Sequence, residues 1–257
     1  MKPIFTDQWD ELPVVVYETN QEMGTAAANE AKEIINKAIQ EKGVANIIVA
    51  TGNSQLSFFE ALRVLPDIDW SKVHAFHMDE YIDLPAGHTA SFPYYLHKQF
   101  IDHVKGIHFY PVPGNSKTLR EDMLAYEKLL RDHPADLCVL GIGENGHLAF
   151  NDPPFADFDD PVYIKKVRMD DCSRRQQVGE GHFKSIEEVP LHALSLTIPA
   201  LRSAKRMLCI VPEARKADAV YRTKTEPVND GCPSTILKKT SWAKLYLDKD
   251  AAAKIMA

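Results

Sequence analysis

The chain has 257 residues, 45% of them hydrophobic and 26% charged, with a formal net charge of −6. That length and apolar content can bury one large core, and the mild acidity argues against a general nucleic-acid surface while leaving room for a local basic pocket. No apolar run nears the roughly 18 residues that cross a bilayer, and the first residues, MKPIFTDQWDEL, hold no stretch of signal-peptide type, so the expectation is a soluble, cytoplasmic protein with no membrane partner.

In chain order, strands are predicted at 14–17, 47–50, 73–78, 107–112, 136–140, 193–197, 207–211 and 244–247. Helices are predicted at 20–41, 54–65, 91–104, 117–133 and 213–223, from apolar spacing near 3.6 with Gly or Pro punctuation between. Strand and helix alternate almost strictly, which implies an α/β fold: three layers, a mainly parallel sheet with helices on both faces, a Rossmann-like variant. No repeat, low-complexity tract or linker divides the chain, so a single domain over 1–257 is expected. Residues 155–190 break the regularity. They hold K-K-V-R and S-R-R-Q-Q, lack a sustained apolar period, and read as an irregular lid or mobile surface loop.

Three predicted strand ends carry chemistry. After 47–50 comes A-T-G-N-S-Q, where Thr51, Gly52, Asn53 and Ser54 offer backbone N–H groups and hydroxyls suited to a phosphate or carboxylate; the alternative is that Asn53 or Ser54 simply caps a helix. After 73–78 come Asp79, Glu80 and Tyr81. A partly desolvated carboxylate there suits a general base for a carbon-bound proton, and the alternative is a pair of loop acids, one of them capping. After 136–140 comes G-I-G-E-N-G-H-L-A-F-N-D-P, in which glycines serve a turn that presents His147 among Glu144, Asn145 and Asp152. A lone histidine after a strand is more often structural, but here polar groups cluster and two other strand ends could face the same crevice.

Competing fingerprints are weak. G-I-G-E-N-G matches G-x-G-x-x-G by letter, yet no long amphipathic helix follows it, and no Walker lysine follows a Gly-rich loop. The four cysteines, Cys138, Cys172, Cys209 and Cys232, form no C-x-x-C pair, and none of the ten histidines falls in H-x-x-x-H or H-E-x-x-H, so no disulfide and no metal are expected.

M-D-E-Y at 78–81, L-P at 84–85, His88, the 141–153 segment, the T-G-N-S loop and E-A-R-K at 213–216 together resemble the glucosamine-6-phosphate deaminase family, across most of the chain. The related 6-phosphogluconolactonases carry D-E-R and G-H-T-A-S-L-F-P at the diagnostic points, and this chain sides with the deaminases. The resemblance implies a hydrolase/isomerase that turns glucosamine 6-phosphate, or a close hexosamine phosphate, into the ketose phosphate and ammonia. It implies no cofactor and leaves a homo-oligomer open. By the family's motifs, Asp79 is the base between carbons 2 and 1, His147 opens the ring, and Asn145 and Asp152 hold His147. Thr51, Gly52, Asn53 and Ser54, with Lys216 as cationic partner, fall on the phosphate cradle, and Arg174 or Arg175 falls near the family's lid arginine. Asn145 and Asp152 stand where the family often has Asp and usually has Glu, and the change at 152 makes a non-catalytic sugar-phosphate sensor one alternative; a sugar-phosphate lactonase of the related group is the other.

Overall fold

The structure, a computed structural model, describes residues 2–85, 87–153 and 155–256. Strands β1 (Phe5–Trp9) and β2 (Leu12–Tyr17) form an antiparallel hairpin, followed by helix α1 (Asn20–Lys42), β3 (Ala45–Val49), α2 (Leu56–Leu62) and β4 (Val73–His77). Next come β5 (Asp79–Tyr81), α3 (Phe92–Gln99), β6 (His108–Tyr110), α4 (Leu119–Asp132), β7 (Leu137–Leu140), β8 (Ile164–Arg168) and α5 (Asp171–Gly179). The chain closes with β9 (His192–Leu196), α6 (Ile198–Arg202), β10 (Arg206–Val211), α7 (Ala217–Thr225) and β11 (Ala243–Asp248).

Eight strands make one sheet in the order β1-β2-β11-β10-β7-β3-β4-β6, parallel throughout except for the β1–β2 hairpin. Period-two alternation splits its side chains into two cores. Ile47, Val49, Leu137, Val139, Leu208 and Ile210 pack with α1, α2 and α3, whereas Ile48, Cys138, Leu140, Met207, Cys209 and Val211 pack with α4, α6 and α7. Helices therefore cover both faces, as the alternation implied.

The ends of α1 show how local chemistry sets its limits. Thr19 accepts the Glu22 N–H at the amino end, and Gly43, at φ +82°, turns the chain and returns its N–H to Ile39.

Two expectations are corrected. The strand predicted at 73–78 stops at His77, and Asp79–Tyr81 joins a second, three-stranded antiparallel sheet, β5-β9-β8, which also takes the strand predicted at 193–197. Residues 155–190 are regular in part. They hold β8, which pairs with β9 over five residues, and α5, capped by Asp170 at the Cys172 N–H. The apolar residues of this stretch show no period because they pack on distant partners: Val167, Met169, Phe183 and Val189 cluster with Tyr81, Phe92 and Phe150.

Candidate active site

The parallel strands β10, β7, β3 and β4 are neighbours, and the chain leaves β3 in one direction and β7 in the other. Such a reversal of strand order opens a crevice at the carboxyl ends, and the cleft lies there. Thr51, Gly52 and Ser54 line it after β3, Asp79 after β4, Gly143 and His147 after β7, and Lys216 after β10. Residues separated by more than 160 positions meet because four strands end at one level. Asn53 is absent from the lining, and Asn145 and Asp152 stand behind His147.

His147 is held at one nitrogen. Asn145 Oδ1 lies 2.7 Å from Nδ1 and also accepts the His147 backbone N–H at 3.0 Å, while Asp152 Oδ1 lies 3.0 Å from Nδ1 and Ser173 Oγ 2.8 Å. An amide oxygen and a carboxylate are acceptors only, so they assign the proton to Nδ1 and leave Nε2 as the nitrogen open to the cleft. Asp152 is fully buried and is anchored in turn by Asn145 Nδ2 at 3.1 Å, the Asp170 N–H at 3.0 Å and the Ser173 hydroxyl. Burial alone would raise its carboxyl, but the His147 ring beside it and the hydrogen bonds from Ser173 and the Asp170 N–H outweigh that and bring it down to about 2.

The turn itself requires glycine twice. Gly146 adopts φ +89°, a left-handed conformation. Gly143 is needed for space, since a Cβ there would lie 2.1–2.3 Å from three atoms of the His147 ring.

Asp152→Asn is expected to lower any turnover that runs through His147 about 10- to 100-fold, as loss of a carboxylate behind an imidazole does. The native carboxyl titrates near 2 against an ordinary 3.8, so the stabilisation it provides is complete above about pH 4 and fades as pH falls towards 2. Thermal melts of both proteins therefore differ at pH 7 and converge as pH falls through that window. A gap that stays constant down to pH 2 contradicts this assignment.

The adjacent acids divide their roles. Glu80 accepts the N–H of Tyr81 at 2.7 Å and of Phe92 at 3.2 Å, pinning the start of α3, which is the capping role allowed for one of the pair. Asp79 lines the cleft, is 7% exposed, and has no side-chain hydrogen bond among the described residues. Burial pushes the Asp79 carboxyl up to about 8, and Glu80 is raised to about 8 mainly by burial too, with its two N–H bonds pulling the other way. Below them His77 accepts the Val112 N–H at its Nε2, and burial drives it down to about 3, so it is a neutral structural histidine.

At the other end, Gly52 turns at φ +92° and its carbonyl accepts the Tyr95 hydroxyl at 2.7 Å. No side chain caps the turn that follows, so Asn53 and Ser54 are not helix caps. Lys216 is 3% exposed. Burial lowers its ammonium to about 8 despite the opposing field of Glu180.

Sequence reasoning missed the contribution of α5. Ser173, Gln176, Gln177 and Glu180 recur at i, i+3, i+4 and i+7, a polar stripe on a helix face. Ser173 reaches His147, Gln176 Oε1 accepts the Glu144 N–H at 3.1 Å, Gln177 accepts the Tyr81 hydroxyl at 2.6 Å, and Glu180 lies over Gly52. Arg174 instead binds the carbonyls of Ile186 and Val189 and the Asp171 carboxylate; neither it nor Arg175 lines the cleft.

Residues 18–160 match the family model of glucosamine-6-phosphate isomerases and 6-phosphogluconolactonases. A glucosamine-6-phosphate deaminase of Bacillus thuringiensis is 30% identical over 93% of this chain and 87% of its own length. The chain belongs to the glucosamine-6-phosphate isomerase/6-phosphogluconolactonase family.

Other members give the same picture. A glucosamine-6-phosphate deaminase of Bacillus cereus is likewise 30% identical over 93% of this chain and 87% of its own length. A solved monomeric glucosamine-6-phosphate deaminase superposes with a TM-score of 0.86 at 26% identity, covering 94% of this chain and 99% of that one. A 6-phosphogluconolactonase from Trypanosoma brucei, at 16% identity, a TM-score of 0.75 and coverage of 94% and 98%, shares the fold. Among the described residues no helix of this family member is long and apolar enough to cross a membrane, and no group of three or more His, Cys, Asp or Glu is placed to hold a metal ion.

Proposed function

We propose that the chain is an amino-sugar-phosphate deaminase/isomerase that converts glucosamine 6-phosphate, or a close hexosamine phosphate, to the ketose phosphate and ammonia. One observation carries this reading: a buried carboxylate, Asp79, and an imidazole with a free Nε2, His147, face one cleft whose far end presents the Lys216 ammonium. Aldose–ketose chemistry on a cyclic amino sugar needs those groups.

His147 Nε2 takes the proton of the C1 hydroxyl and returns it to the ring oxygen, which opens the ring; one nitrogen suffices because the Nδ1 proton stays bound to Asn145 and Asp152. Asp79, ionised, removes the C2 proton of the open aldehyde while a proton passes from the substrate's ammonium to the C1 oxygen, and it then returns the C2 proton to C1 of the resulting enolamine, giving a 2-imino sugar with a C1 hydroxyl. Water then adds at C2 and ammonia leaves, so atoms balance with one water consumed. The substrate's own ammonium beside Asp79 favours its charged form against burial. Lys216 and the loop of Thr51, Gly52 and Ser54 hold the phosphate, which positions the reacting carbons. The segment with α5 acts as a wall that excludes water.

The deciding assay is ammonia release from glucosamine 6-phosphate and its galacto epimer, compared with hydrolysis of 6-phosphogluconolactone. Turnover of a hexosamine phosphate with negligible lactone hydrolysis is expected. Binding without turnover on every hexosamine phosphate would instead favour a sensor.

A further inference from the structure

The end of the cleft that this reading gives to a phosphate already holds an anion of the protein's own. Glu180, beyond the carboxyl end of α5, has a 5% exposed side chain. Its Oε1 accepts Gln176 Nε2 at 2.8 Å and pairs with Arg215 at 3.1 Å, its Oε2 lies 3.5 Å from His182 Nε2, and that same oxygen lies 3.2 Å from where a Cβ on Gly52 would sit. The carboxylate is thus held by Gln176 and Arg215 and sits over the loop at Gly52.

The local charge is unusual for a phosphate site. Arg215 is committed to Glu144, Glu180 and Glu213. Lys216 borders the cleft, and among the described residues its ammonium has no carboxylate at ion-pair distance and no hydrogen-bond acceptor. Two cations therefore face three carboxylates, and of the two only Lys216 is free to meet an incoming anion. The held Glu180 charge is felt at Lys216 and lifts its ammonium against burial.

We propose that Glu180 is a specificity-determining residue, an internal anion fixed over Gly52 that repels an incoming phosphate at the 51–54 loop beside Lys216 and so keeps bare phosphate and non-substrate sugar phosphates out of the cleft. This rests on the deaminase reading for what the cleft turns over, but the repulsion itself needs only an anion. A fixed like charge at hydrogen-bonding range costs any phosphate binding energy, and only a ligand with further contacts to the amino-sugar end recovers it.

Binding of inorganic phosphate and of glucose 6-phosphate to the full chain, by titration calorimetry and by ligand-dependent Tm, tests the proposal. Glu180→Gln keeps the side-chain shape and an acceptor for Gln176, and is expected to tighten both ligands about tenfold or more and to make inorganic phosphate inhibit at correspondingly lower concentration. Glu180→Asp keeps the charge and is expected to stay within about threefold of the parent. Unchanged or weaker phosphate binding in Glu180→Gln overturns the proposal, as does equal tightening in Glu180→Asp, which would trace the effect to packing. If phosphate tightens yet neither protein turns over any hexosamine phosphate, the reaction assignment fails and the role of Glu180 stands; turnover without tightening overturns that role and leaves the reaction assignment standing.

Discussion

Asp79→Asn is expected to abolish ammonia release, with kcat reduced by about 1,000-fold or more, and at the same time to make the protein more stable at pH 8 and above. The first effect follows because an amide cannot accept the carbon-bound proton, and base catalysis of this kind is worth about 10²- to 10⁴-fold. The second follows from burial. The Asp79 carboxyl is raised to about 8 from an ordinary 3.8, so the native state keeps a proton that the unfolded chain releases between those values. Stability associated with the group is therefore complete below about pH 4 and falls as pH rises towards 8. Asn, neutral at every pH, escapes that loss, and a Tm gain of about 3–8 °C at pH 8.5 is expected, shrinking towards zero near pH 4. The same titration gives the parent a kcat/KM that climbs with pH through about 8, since the free enzyme must lose that proton to act as a base. Equal melting curves for parent and variant at pH 8.5, with activity lost, would show that Asp79 is solvated as an ion in the native cleft.

Gly143→Ala is expected to lower kcat about 100-fold or more with a much smaller change in KM. Gly143 has no positive φ, so alanine meets no backbone penalty there; the obstacle is the His147 ring, which its Cβ would contact at 2.1–2.3 Å. The ring must move away from Asn145 Oδ1, Asp152 and Ser173, and a shift of about 1 Å in a positioned catalytic group costs on the order of 100-fold. Displacing the ring also strips the buried Asp152 of a partner, so a stability loss of about 1–3 kcal/mol accompanies the change. Steady-state kinetics at saturating substrate together with urea unfolding separates these effects. Parent-like kcat in a folded Gly143→Ala protein would mean that His147 is not held by this turn.

Much of the site was legible because its residues stand at predicted strand ends. Asp79, His147 and the Thr51 loop each follow an apolar run, and parallel sheets place such ends on one side, whereas Lys216 was reached only through the family resemblance. The α5 segment was not legible because its apolar residues answer to Tyr81, Phe92 and Phe150, which lie in other elements of the chain, and local period carries no trace of that packing. Its polar stripe, Ser173 to Glu180, does have helical spacing, yet a search for apolar faces passes over it. The roles of Asp79 and Glu80 were equally hidden, because adjacent residues in a strand point to opposite sides and only the pairing of β5 with β9 decides which carboxylate meets the cleft.

Local pattern in the chain suffices for the alternation of strands and helices, the two-faced burial of the sheet and the residue types suited to proton transfer, because period and turn chemistry are properties of neighbouring residues. Four features have no local signature: the order β10-β7-β3-β4 that brings four strand ends to one cleft, the burial that raises Asp79, the reach of Ser173 to His147 Nδ1, and the placement of Glu180 over Gly52. Each of these depends on which distant segments pack side by side, and long-range packing sets both geometry and dielectric.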